Sequence, residues 1–286
     1  MRWKEAAEPL LRSALLIAAA LVMLVPVLFT VVNSLMTERE IMANYSMLGQ
    51  NNTSEFVNMK WIPDWVSFEQ FHKVLIETPV FLRMFWNSAA LTLPIVAGQT
   101  VVAALAAFAL GKLRFPGRDK LFFVYLITML MPFQVTLVPN YMMADKLELL
   151  NTPSSIILPG IFSAFGVFLL RQFMLHIHYT YIEAAKMDGA GYLRIFILII
   201  LPMVKPGIAA LIVLLFADYW NMVEQPLIFL QDAGMQPLSL FLSRIHDELL
   251  GVSFAASVIY MAPMLLLFMV AERHFIEGIQ LSGVKG

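Results

Sequence analysis

Six apolar runs, separated by polar inserts, set the pattern of this chain. They cover about 10–32, 84–111, 121–141, 154–175, 202 or 206 to 220, and 254–271. Each is close to the roughly 17–25 residues that a helix needs to cross a ~30 Å hydrocarbon core. The second run contains Pro94 and Gly98, and the third contains Pro132 and Pro139. Membrane helices tolerate such residues where neighbours satisfy the freed backbone groups. Ala103, Ala104, Ala106 and Ala107 give the second run small faces for close helix packing. The pattern predicts an all-α, polytopic membrane protein with six transmembrane helices. The first run is too long for the ~7–15-residue core of a signal peptide, and no small-x-small site follows it. It reads as an uncleaved span.

The inserts differ in character. Residues 33–83 form the longest one, polar and mixed, with Trp61, Pro63 and Trp65 in its middle. Residues 112–120 form a basic loop with Lys112, Arg114, Arg118 and Lys120. On this basis residues 1–83 group as tail, first span and outer segment. Residues 84–286 group as a core domain with five spans.

The insert from Tyr181 to Pro206 stands apart, being charged and punctuated by glycine within an apolar half. Glu183-Ala184-Ala185 predicts a short helix, since Glu and Ala are strong helix formers. Asp188-Gly189 predicts its end, because glycine accepts the left-handed backbone there. Ala184 and Ala185 are small enough to let a partner surface approach.

Composition sharpens the class. The chain is 60% hydrophobic and 14% charged, against roughly a quarter charged in soluble domains. A net charge of -1 points away from a nucleic-acid partner. With no cysteine there is no disulfide framework and no thiolate metal site. His176 and His178 are two apart, so a helix does not bring them to one face. No metal or cofactor set is expected. The sequence shows no nucleophile–base arrangement and no Gly-rich phosphate loop, so the chain reads as non-catalytic, with its energy supplied from elsewhere.

Charge also orients the chain. With the N-terminus inside, thirteen of the 19 Lys and Arg fall on inner segments and six on outer ones. The positive-inside rule then places both termini, and the 181–206 insert, in the cytoplasm.

The insert resembles the EAA loop of inner-membrane permeases of ABC importers. The family string is Glu-Ala-Ala, three residues, Gly, then a hydrophobic segment ending in Leu-Pro. Here Glu183-Ala184-Ala185, Lys186-Met187-Asp188 and Gly189 are followed by Phe196, Leu201-Pro202 and Pro206. The string Ala107 to Arg118 resembles the same family. His178 and Thr180 stand where the family carries Pro and an acidic residue, so the approach to the helix is expected to differ. Resemblance covers the chain from about residue 80 onward and points to the carbohydrate (maltose-type) branch.

The resemblance implies a type I importer permease with a cytoplasmic coupling helix at about 178–206. Glu183, Ala184, Ala185, Lys186, Asp188, Gly189 and Gly191 would meet the ATPase. Glu183 is expected to pair with a cation there. The implied partners are a second homologous permease, two ATPase subunits, an extracytoplasmic binding protein and a sugar. Trp220-Asn221 with Pro226-Leu227 resembles a segment of sugar-type permeases. Aromatic faces beside polar groups suit sugars, although interfacial belts gather the same residues. Asn87 and Gln134 are polar positions in apolar spans, expected to line a pathway or to hydrogen-bond between helices. Residues 231–250 are expected to reach toward the binding protein or to act as a plain connector. The tail at Gly283 and Lys285 matches a family segment near the ATPase. The competing class, a stand-alone carrier or channel, fits less well, because ion-coupled carriers keep ionisable residues at mid-membrane depth.

Overall fold

The computed structural model describes residues 2–45, 58–243 and 250–283, with side chains from 12 to 272 within those ranges. It groups into two compact units. One comprises Met1–Leu82 with Arg244–Ala262, and the other Arg83–Ser243 with Pro263–Gly286. Among the described residues every regular element is helical.

The first unit starts with α1, Arg2–Ser34. Its apolar side chains are unburied, with Leu16, Val22 and Met23 each more than 70% exposed (72%, 72% and 76%). A helix exposed and apolar over residues 13–26 needs an apolar solvent there. Asn33 and Ser34 close its last turn by bonding the Phe29 and Val31 carbonyls. The chain then forms α2, Glu38–Tyr45, and later α3, Glu69–His72, which runs on as one wide turn over Lys73–Glu77.

The described part of this insert, read from sequence only as polar and mixed, has a small core of its own. Met36, Ile41 and Tyr45 are buried and pack with Phe29, Val32, Leu250 and Phe254. The Tyr45 hydroxyl donates to Asn33 Oδ1 at 2.7 Å and accepts the Lys60 backbone N–H at 3.2 Å. Lys60 pairs with Asp64 at 2.5 Å and with Glu40, almost buried, at 2.8 Å. Hydrogen bonds to Asp64 and then Glu40 raise the Lys60 ammonium above its ordinary value. Polar residues here fold because their partners fold with them.

The second unit is built on α4, Pro79–Lys112, a single helix carrying Pro94 inside it. Its crossing with α7, Ser154–Ile161, is reciprocal. A Cβ on Gly98 would lie 2.7 Å from Ile161, and one on Gly160 would lie 2.8 Å from Ile95. Each glycine accepts the other helix's isoleucine, which lets the backbones approach. Leu91, Ile95, Ala144, Ile156, Phe229 and Leu230 form a core around this crossing.

Two of the expected spans are bent. The third is α5, Arg118–Met129, then α6, Phe133–Lys146, turned by 98°. Pro132 lies at the break; it lacks an N–H and biases the residue before it away from helix. The fifth begins earlier than Pro202. It runs from α10, Tyr192–Ile195, through a wide turn at Phe196–Ile200 and α11, Leu201–Met203. It then turns by 75° into α12, Lys205–Trp220, with Pro206 in the first turn. The fourth is α7 and α8, Ala164–Leu175, with Phe162 and Ser163 between them. The sixth, α15, spans Leu250–Gly283, so helix continues well beyond the expected Ala271. Four helices are long and apolar enough to cross a membrane among the described residues, and six if each bent pair is one span.

Candidate functional site

The short predicted helix exists as α9, Thr180–Met187. It is held by two apolar contacts and a frame of basic side chains. Ile182 (0% exposed) and Ala185 (7%) face inward, one helical turn apart. Tyr181, Glu183, Ala184, Lys186, Met187 and Asp188 face outward. The two alanines therefore divide: Ala184 lies on the free face, and Ala185 anchors the helix. This corrects the expectation that both present a bare surface.

The end of α9 is a complete Schellman motif. Gly189 has φ +76°, its N–H reaches the Lys186 carbonyl at 3.0 Å, and the Ala190 N–H reaches the Ala185 carbonyl at 2.9 Å. Nothing lies within 4 Å of where a Gly189 side chain would stand. Glycine is thus required by backbone angle and not by crowding. Gly191, with φ −73° and ψ 159°, needs neither.

Lys186 turns back on its own chain. Its ammonium donates to the Tyr192 hydroxyl at 2.5 Å and sits 4.2 Å from that ring's centre. The hydrogen bond to Tyr192 raises the ammonium above its ordinary value, so it is charged at neutral pH. Among the described residues, Glu183 and Asp188 have no ion-pair partner. The outward face is therefore acidic, with small Ala184 and a Met187 that is 89% exposed.

The frame beneath comes from the ends of α4 and α8. Lys112, buried at the last residue of α4, donates to the Ile177 carbonyl at 2.5 Å. Arg171 on α8 donates to the Leu110 carbonyl at 3.1 Å and lies 3.7 Å over the Phe122 ring. The Arg114 guanidinium stacks on Tyr179 at 4.7 Å, just before α9. Cations at helix C-termini satisfy carbonyls that the helix leaves open.

The expected pathway residues each have their own contacts. Trp220 is 3% exposed, stacked on Phe216 at 5.1 Å and edge-on to Phe85 at 5.6 Å. Asn221 is exposed and bonds the Ala217 carbonyl at 2.7 Å. Asn87 donates to the Gly234 and Gln236 carbonyls, at 2.8 and 3.1 Å. Gln134, at the start of α6, donates to Glu224 at 3.3 Å; both are exposed. Glu224 opens α13, Glu224–Phe229. The chain from 231 to 243 contains a tight turn at Ala233–Met235 and α14, Leu238–Leu242. This stretch is tied inward by Ser239 Oγ to the Met222 carbonyl and by the Leu238 N–H to Ser88 Oγ. Gly283 is the last residue of α15, and Lys285 lies outside the described residues.

The model for "Binding-protein-dependent transport system inner membrane component" matches residues 99–280, which contain all of α9. The chain belongs to that family.

The permease is 30% identical to the arabinooligosaccharides transport system permease protein AraQ of Halalkalibacterium halodurans, over 78% of this chain and 81% of that one. It is 32% identical to the sn-glycerol-3-phosphate transport system permease protein UgpE of Brucella abortus, over 69% and 72%. Its fold matches a solved bacterial ABC transporter involved in the import of the acidic polysaccharide alginate. The TM-score is 0.78 at 22% identity, covering 93% of this chain and 95% of that one. The chain is thus a membrane permease component of a binding-protein-dependent transport system, with the fold of that solved chain.

Sequence reasoning placed the α9 loop but missed what carries it. In the sequence alone, Lys112 has no role beyond the basic loop, and Arg171 none beyond its charge. The signal available was Lys112, a basic residue in the last turn of an otherwise uncharged run, which is where open carbonyls lie. Tyr192 as the partner of Lys186 left no signal beyond its spacing.

Proposed function

We propose that this permease passes a sugar or oligosaccharide across the cytoplasmic membrane, with α9 as its coupling helix. It works with a second, homologous permease, two ATPase subunits and an extracytoplasmic binding protein. Both termini and α9 lie in the cytoplasm. The observation that carries this reading is the form of α9: an acidic, small-residue face, held from behind and closed by an αL glycine, in a loop between two spans. Such a helix can seat in a cleft of the ATPase, with Glu183 against a cation. Closure of the ATPases then moves α9, and differential contacts in the two states supply the bias. A relative named for arabinooligosaccharides favours a sugar as solute. Asn87, Gln134, Trp220 and Asn221 belong to the pathway side of the proposal, and Gly283 and Lys285 to the ATPase side.

The test is purification from native membrane in mild detergent. ATPase subunits and a second permease are expected to co-purify and to be lost when 183–189 is replaced by a Gly-Ser stretch. The binding protein is then screened against sugars. A chain that purifies alone and moves solute along an ion gradient in vesicles overturns the proposal.

A further inference from the structure

The basic loop between α4 and α5 has a use that coupling does not absorb. Arg114, Phe115, Gly117, Arg118, Asp119 and Lys120 line an open cup of about 480 Å³. Its charges are not equivalent. Arg118 is engaged by its neighbour, with Nε 3.0 Å from Asp119 Oδ1. Asp119 also lies 3.8 Å from Arg171. Arg114 offers its face to Tyr179 but remains exposed. Lys120 is exposed and has no partner among the described residues. Gly117, at φ +84°, turns the chain into α5 without a side-chain cap, so the positive end of that helix adds to the cup.

The second observation is what continues from the cup. Lys120 stands one and two turns before Phe123, Val124 and Ile127, on one face of α5. These three are 61%, 53% and 45% exposed. A cationic cup over an apolar stripe, at the end of a membrane-embedded helix, has the complementarity of a phospholipid: a phosphate above and acyl chains below. We propose that the 114–120 turn and this face of α5 hold an anionic phospholipid. Its phosphate lies by Lys120 and Arg114, and its chains lie along Phe123, Val124 and Ile127. A zwitterionic lipid would bring an ammonium into the same cup and gain less. Free phosphate shares the headgroup chemistry but has nothing to place on the stripe.

The assembled importer in nanodiscs, carrying either photoactivatable phosphatidylglycerol or the matching phosphatidylcholine, tests this. Phosphatidylglycerol is expected to label the 113–129 peptide preferentially. Lys120→Gln should lower that labelling about fivefold, from roughly 1 kcal/mol per cation near an anionic surface. Lys120→Arg should restore it. Equal labelling by the two lipids, or no change in Lys120→Gln, overturns the proposal. So does loss of label on adding inorganic phosphate, which would identify a soluble anion. Label present on the isolated permease and absent from the assembly would identify a protein partner on this face, and also overturns it.

Discussion

Two polar inserts of this permease solve opposite problems. Among the described residues of the 33–77 stretch, polar groups pair with one another, several of them buried: Tyr45 with Asn33, Glu40 with Lys60, Lys73 with Glu38. The α9 loop leaves Glu183 and Asp188 outward and is anchored by Ile182 and Ala185, with Lys112 and Arg114 holding the chain before it. A polar group that has found its partner within the chain contributes to stability. An unpaired exposed one contributes little to the fold and is free to meet another protein. The difference separates an insert that holds itself together from one whose charges stay open to solvent.

The largest expected effect tests the exposed side of that contrast. Gly189→Asp forces a side chain onto a φ of +76°, at roughly 1–2 kcal/mol for an ordinary residue, less for Asp. It also sets a second carboxylate beside Asp188. No atom lies near enough to clash, so the protein should still reach the membrane. Uptake in proteoliposomes should fall by about tenfold or more while ATP hydrolysis persists, because the misplaced helix no longer transmits the stroke. Normal uptake would sink the coupling role of this turn.

The α9 loop was legible because its requirements are local. A Gly at a fixed distance from Glu-Ala-Ala, and Leu-Pro beyond it, are constraints within a few residues. The buried insert was not legible, because its order comes from partners far apart in sequence. Asn33 needs Tyr45, and Asp64 closes on Glu40 across 24 positions. No periodicity announces such pairs. The bends at 130–132 and at Val204 were half legible. Pro132, Pro202 and Pro206 were visible, but proline inside Pro94-bearing α4 leaves one uninterrupted helix. Whether a proline breaks a membrane helix depends on neighbours that can take up the freed carbonyl.

The next effect tests the paired side. Tyr45→Phe keeps the ring and removes one oxygen. It strands the buried Asn33 carbonyl and the Lys60 N–H, at about 1–3 kcal/mol. Thermal unfolding of the detergent-purified importer should report it, while ATP-coupled uptake at low temperature stays near wild type. The same oxygen gives an alkaline limb. Burial raises the Tyr45 phenol above its ordinary 10.0. Its contribution is therefore complete below about pH 10 and lost as pH climbs through the raised value. Tyr45→Phe should flatten that part of the stability profile. An unchanged melting curve would mean that the insert does not depend on its internal polar network.

The smallest effect is the most discriminating, because it compares two glycines two residues apart. Gly191 has an ordinary φ of −73° and open space around it, so nothing in the permease itself requires glycine there. Gly191→Ala should leave stability within ~0.5 kcal/mol. A small gain is expected, since alanine narrows the unfolded ensemble. If α9 is gripped only through its acidic face and its αL turn, uptake is also unchanged. A loss of coupling with stability intact would assign Gly191 to the partner, whose surface would then have to lie against bare backbone. The two substitutions together separate what the fold asks of this loop from what the proposed ATPase partner would ask of it.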